Sequence, residues 1–123
     1  MDTATAVAAP QINTQVVGTL EWSNTLLDGR RVLRKEAEAA VAELGDGWRL
    51  PTVDELQTIL DRSRYNPAID TEKFPDTKST WYWTSSPCAW DASARWVVYF
   101  SYGSVLDSYD YGDACVRACR ASQ

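Results

Sequence analysis

A chain of 123 residues with ordinary apolar content is the size of one domain, able to bury roughly two thirds of its unfolded surface. Its net charge of −5 argues against a nucleic-acid backbone or an anionic membrane as partner, and the absence of histidine removes the commonest general base and metal ligand. Six tryptophans in so short a chain point to an aromatic core, and three cysteines, an odd number, suit a reducing compartment.

The first basic residue is Arg30, and the longest early apolar run is Ala6-Val7-Ala8-Ala9, too short for the apolar region of a signal peptide. No stretch has the length of a bilayer span. The expectation is a protein without a signal peptide, cytoplasmic or virion-associated.

In chain order, residues Met1 to Thr14 are small and polar without a period and read as a loose arm, with one domain from residue 15 to 123. Val16, Gly18, Leu20 and Trp22 alternate with Val17, Thr19 and Glu21, a strand pattern. Asp28-Gly29 signals a turn, after which Arg30 to Leu33 return as a short strand. Leu33, Ala37, Ala40, Val41 and Leu44 recur at helical spacing, with Gly45 as the stop. Thr52 and Glu55 form a capping box that opens a second helix. Val53, Leu56, Ile59 and Leu60 give it an apolar face, and it is expected to end near Arg62. Asn66 to Thr80 reads as proline-punctuated loop, and from Trp81 the chain is strand-like to its end. Trp96, Val98 and Phe100 share one strand face, and Arg95, Val97 and Tyr99 the other. Two helices followed by a β-rich half predict an α+β fold with an antiparallel sheet.

Five blocks in order carry a resemblance: Trp48-Arg49-Leu50-Pro51-Thr52 with Glu55-Leu56; Tyr65-Asn66-Pro67-Ala68-Ile69-Asp70 with Phe74-Pro75; Tyr82-Trp83-Thr84-Ser85-Ser86; Trp96-Val97-Val98-Tyr99-Phe100 with Gly103; and Val116-Arg117-Ala118-Cys119-Arg120. They cover about Thr19 to Arg120. The chain resembles the family of the C-terminal domain of Lcl-type collagen-like adhesins. That resemblance implies a C-type-lectin-like fold and a link to the variable proteins of diversity-generating retroelements. It does not imply one settled activity.

Chemistry-bearing constellations are sparse. Ser85 and Ser86 have no base partner in sequence and read as hydrogen-bonding residues at a strand end. Arg49, Arg117 and Arg120 read as structural ion pairs or guanidinium–tryptophan stacks. Cys115 and Cys119, on the final strand, lie about 13 Å apart by strand rise, too far for a mutual disulfide. A bridge from Cys88 to one of them stays open, but three free thiols and no bound metal are expected. Asp107, Asp110 and Asp113 lack the glycine and terminal glutamate of an EF-hand loop and read as an acidic turn. A remote alternative is an oxidase-like enzyme: the family of formylglycine-generating enzymes shares the Arg-Leu-Pro-Thr-x-x-Glu element, which Arg49 to Glu55 resemble, and a C-terminal cysteine pair.

Residues Ser86 to Cys115 are rich in Tyr, Ser, Asp, Ala, Gly and Cys, the mixture of rigid aromatic and adaptable polar contacts found in paratopes. The resemblance supplies a second cause, since adenine-directed mutagenesis in retroelement targets yields the same residue types. The candidate contacts are Trp90, Asp91, Arg95, Tyr99, Tyr102, Asp107, Tyr109 and Tyr111. The expected function is a non-catalytic ligand-binding module, phage or prophage encoded, that recognises a host protein or glycan without a cofactor. The alternative is a small acidic intracellular inhibitor of a host defence complex, its aspartates imitating phosphates.

Overall fold

The first strand pattern folds as a hairpin. A computed structural model describes residues 14–109 and 112–122. In it β1 (Thr14–Val17) and β2 (Leu20–Thr25) pair antiparallel, with Val17 opposite Leu20. Gly18 has a φ of 62°, a region closed to most side chains, and it reverses the chain where the alternation suggested one continuous strand. Thr14, assigned to the arm, is the first residue of β1; residues 1–13 lie outside the described residues.

A 3-10 turn at Leu27–Gly29 leads to β3 (Val32–Leu33) and then α1 (Arg34–Leu44). Ala37 and Val41 are buried, as the spacing predicts, but Leu33 stands exposed on β3 instead of joining the apolar face. Gly45 closes α1 at a φ of 62°. The second helix, α2 (Val53–Gln57), is shorter than its apolar period suggests. After Gln57 the backbone tightens: Thr58, Ile59 and Leu60 donate to carbonyls three residues back. The Asp61 amide is then taken by the Ala68 carbonyl at 2.8 Å. Ile59 still reaches the core, so the period reported burial correctly and helix length wrongly.

The remaining strands are β4 (Trp81–Cys88), β5 (Asp91–Tyr99), β6 (Ser104–Tyr109), β7 (Asp113–Ala114) and β8 (Arg117–Ala121). They complete three sheets, ordered β1-β2-β8, β3-β7 and β4-β5-β6, with every strand pair antiparallel. The architecture is α+β.

Two apolar clusters lie on opposite faces of the β4–β5 ladder. Trp83 and Val97 pack on one side with α1 and with Trp48, Leu50 and Val116. Tyr82, Val98 and Phe100 pack on the other with Trp22, Leu56, Ile69 and Phe74. Burial on both faces explains why Trp81–Trp83 and Trp96–Phe100 are unbroken apolar runs, where a half-exposed strand would alternate. The C-terminal segment repeats the pattern, with Ala114, Val116 and Ala118 in the first cluster and Cys115 and Cys119 in the second.

That segment also joins the sheets. Asp113 and Ala114 pair with β3, and Cys115 exchanges backbone bonds with Trp81 and Trp83 on β4. Residues from Arg117 onward pair with β2, and Cys119 bonds both ways with Arg49 at 2.9 Å. Within it Arg117 is 1% exposed. Its guanidinium donates to the Ser23 carbonyl at 2.6 Å, to the hydroxyls of Thr25 and Thr77 at 3.0 and 2.8 Å, and to Asp76 at 3.3 Å. It also lies 4.9 Å from the Phe74 ring centre. The Asp76 carboxylate completes the circuit by accepting from the Thr25 amide at 2.7 Å. A charge this deep is tolerated because both terminal nitrogens meet acceptors, although the buried Nε has no partner among the described residues.

The capping box forms as the sequence predicts: Thr52 Oγ1 accepts from the Glu55 amide, and Glu55 Oε1 accepts from the Thr52 amide. The same carboxylate takes a bidentate pair from Arg49 at 2.7 and 2.8 Å. The Arg49 hydrogen bonds, with the Thr52 amide behind them, outweigh desolvation and hold the Glu55 carboxyl down to about 2.

All three cysteines are buried free thiols. Burial pushes Cys115 up to about 11 and Cys119 up to about 12. Both are therefore neutral thiols near pH 7, poor nucleophiles and poor metal ligands.

Three outcomes follow. Arg117→Ala removes the guanidinium that the Ser23 carbonyl, two threonine hydroxyls and Asp76 surround, leaving Asp76 with the Thr25 amide, and should destabilise the fold by ~3–5 kcal/mol in urea titration. Glu55 has a folded pKa below its ordinary value, so its contribution is complete above about pH 4.5 and disappears as pH falls through 2. Over that window the wild type should lose about 1–2 kcal/mol more than Glu55→Gln, a figure discounted for solvent around Arg49. Alkylation of the native protein should be slow at every cysteine, whereas the denatured, unreduced chain should take three labels by mass spectrometry.

Candidate functional site

The sequence motifs interlock first with one another. The Ser86 hydroxyl accepts from the Val53 amide at 2.9 Å, and the Ser85 amide donates to the Pro51 carbonyl at 2.8 Å. Thr84 Oγ1 donates to the Trp96 carbonyl at 2.6 Å. The Trp48–Thr52 block, the Tyr82–Ser86 block and the Trp96–Phe100 block thus share one hydrogen-bonded seam. Ser85 and Ser86 are structural, as expected of strand-end serines. Arg49 is the ion pair anticipated from sequence, and Arg120 stacks 4.4 Å from the Trp48 ring centre while pairing with Glu21 at 2.8 Å.

An open groove of about 560 Å³ runs beside this seam, with Val41, Trp48 and Leu50 at its floor and Glu38, Arg49 and Glu55 among its lining groups. Arg49 and Glu55 satisfy each other there, so a polar ligand would have to break that pair. Among the described residues no cluster of three His, Cys, Asp or Glu side chains is placed to hold a metal ion.

The eight candidate contacts do not converge. β5 is nine residues long and bulges against β4 between Asp91 and Arg95, and the candidates are spread along it. At one end are Trp90 in the β4–β5 turn and Asp91 at the start of β5, while Tyr109 and Asp107 on β6 lie opposite Ala94 and Trp96, toward the middle of β5. Trp96 joins them, its ring centre 5.4 Å from that of Trp90 at 89°. At the other end are Tyr99, the last residue of β5, and Tyr102 in the β5–β6 turn. Arg95 lies on the Tyr99 face of β5, and its guanidinium donates to the Ala92 and Ala94 carbonyls. Tyr111, with Asp110, lies outside the described residues. The residue-rich run toward Cys115 also stops short of a surface, since Ala114 and Cys115 are fully buried.

Sequence reasoning missed three aromatics that complete these groups. Trp81 stacks on Tyr99 at 4.2 Å and 21°, and Tyr99 meets Tyr102 edge-on at 6.0 Å. The result is a row of three rings leading from the core to solvent, with Tyr102 63% exposed. Tyr65 is 71% exposed on a loop fastened to the same turn. There the Asn66 amide donates to the Ser101 carbonyl at 2.8 Å and the Ser101 hydroxyl donates to the Asn66 side chain. Trp96 was legible as a strand-face residue within the Ser86 to Cys115 segment, but not as a candidate contact. The signal for Trp81 was its spacing of two from Trp83, which puts both on one face.

The turn that carries Tyr102 is rigid. Gly103 has a φ of 88°, and a side chain there would meet Arg62 at 3.1 Å. Arg62 Nε and Nη2 both donate to the Gly103 carbonyl, at 3.2 and 2.9 Å. Glycine is required both by conformation and by the closeness of that guanidinium.

The Lcl C-terminal domain family matches residues 7–120. No curated protein and no solved structure matches the chain. The family match runs across all five ordered motif blocks, whose side chains hold one another in place: the chain belongs to the Lcl C-terminal domain family.

Proposed function

We propose that this domain is a non-catalytic, adhesin-like binding module that engages a protein or glycan ligand at the Tyr99–Tyr102 end of the β4–β5–β6 sheet. The observation that carries the proposal is the ring row Trp81–Tyr99–Tyr102, anchored in the core and open at its tip. Aromatic rings offer large contact areas with few torsions to freeze, and tyrosine adds a hydroxyl for polar contacts. The Arg62 clamp on Gly103 and the Asn66–Ser101 bonds keep the tip in place before a ligand arrives, which lowers the entropy lost on binding. Buried, protonated Cys115 and Cys119 favour binding over thiol chemistry.

The α+β order with antiparallel sheets supports a C-type-lectin-like fold for the domain. Tyr102 and Ser104 stand exposed in a turn of the composition expected in retroelement-diversified proteins. A reverse-transcriptase gene beside the coding sequence is the check on that origin.

Glycan-array binding and crosslinked capture from surface-protein fractions identify the ligand. Tyr102→Ala and Tyr65→Ala should each weaken its binding tenfold or more if these rings are anchoring contacts, by the ~2 kcal/mol typical of such residues. Both side chains are exposed, so stability should change by no more than about 0.5 kcal/mol. Unchanged binding, or loss of binding together with loss of fold, would remove this end of the sheet from the site.

A further inference from the structure

We infer that Trp90 of the β4–β5 turn, with Trp96 and Asp107 beside the middle of β5, forms a second contact point, a receptor for the guanidinium of an arginine side chain on a protein ligand. This rests on the reading of the domain as a binding module and narrows the partner to a protein. Trp90 is 61% exposed in the β4–β5 turn and meets half-buried Trp96 at 5.4 Å and 89°. The two perpendicular indoles form a corner, and most of the Trp90 side is open to solvent. Asp107 is directly opposite Trp96 in the β5–β6 ladder, so the two side chains project from the same face of the sheet. Asp107 is exposed, and no ion pair among the described residues holds its carboxylate.

The local field is negative. Burial first, then the carboxylates of Asp107 and Asp91, push the nearby Cys88 thiol up, with Arg95 acting the other way. Arg95 does not fill the corner: it precedes Trp96, so it projects from the other face, where the Ala92 and Ala94 carbonyls take it. The chain as a whole carries −5 and favours a basic partner.

An indole face attracts a cation through its quadrupole, and a carboxylate beside it accepts N–H bonds. Arginine meets both demands together, because its flat guanidinium stacks on a ring while its edge donates in the same plane. A quaternary ammonium has no donor for Asp107 and is better matched by several enclosing rings. A corner of two rings and one carboxylate therefore selects arginine.

The test is titration of the ¹⁵N-labelled protein with N-acetyl-arginine methylamide, followed at the indole N–H signals. The neutral citrulline analogue, the lysine analogue and choline serve as competitors. Shifts should concentrate on Trp90 and Trp96, with millimolar affinity for arginine, weaker binding of lysine and choline, and none of citrulline. Trp90→Ala and Asp107→Asn should each weaken arginine binding by about threefold to tenfold, the effect expected of one cation–π or exposed ion contact. Tyr102→Ala should leave it unchanged. Equal response to citrulline, tighter binding of choline, shifts spread over all tryptophans, or no shift at saturating arginine would each overturn the proposal. Arginine binding that fails while Tyr102-dependent ligand binding persists refutes only this contact point. Arginine binding that holds while Tyr102 proves dispensable refutes only the assignment at the other end.

Discussion

Arg117 is the constraint around which the rest is arranged. A buried guanidinium needs oxygen for its donors, and the chain brings a strand carbonyl, two threonine hydroxyls and a carboxylate to it from two segments. Ser23 and Thr25 belong to β2, and Asp76 and Thr77 to the irregular loop before β4. The loop has almost no regular structure, yet its position is set because Asp76 must answer both Arg117 and the Thr25 amide. Phe74 and Tyr82 cover the charge from the apolar side. Specificity comes from this polar node, while the bulk of the burial comes from the tryptophan-rich clusters on either side of β4 and β5.

The same segment explains why three small sheets behave as one body. Each of its residues answers a different neighbour in turn: β3, then β4, then β2 and Arg49. Small residues at Ala114, Cys115, Ala118 and Cys119 let backbones approach this closely. The cysteines are there for size and apolarity, and burial keeps their thiols protonated.

Against that interior, exposed aromatic side chains stand in the two turns that flank β5. The family motifs are mostly structural: Arg49, Glu55, Ser85 and Ser86 are engaged with one another across the seam between α2 and β4. The residues free to meet a ligand lie outside or at the margins of those motifs, in the two turns that flank β5. A scaffold with fixed motifs and aromatic, polar turns suits a family in which the fold is shared and the ligand changes.

Local chemistry was legible in the residues alone. The capping box at Thr52 and Glu55, the Gly45 stop, the two faces of β5 and the Arg49–Glu55 pair all depend on neighbours close in sequence or on strict period. The sequence patterns misjudged the hairpin at Gly18, the length of α2 and the surface near Cys115. The hairpin rests on the positive φ of Gly18, the early end of α2 on the Ala68 carbonyl that takes the Asp61 amide, and the enclosure of Cys115 on the backbone of β4, far along the chain. Composition offered Tyr, Trp and Asp as candidate contacts, but it could not place them. One strand of nine residues separates Trp90 from Tyr102, and β-pleating turns Arg95 away from Trp96. Sequence alone determined which side chains had binding chemistry. Only the pairing of β5 with β4 and β6 decided which of them share a surface, because proximity across a sheet is set by register and not by distance along the chain.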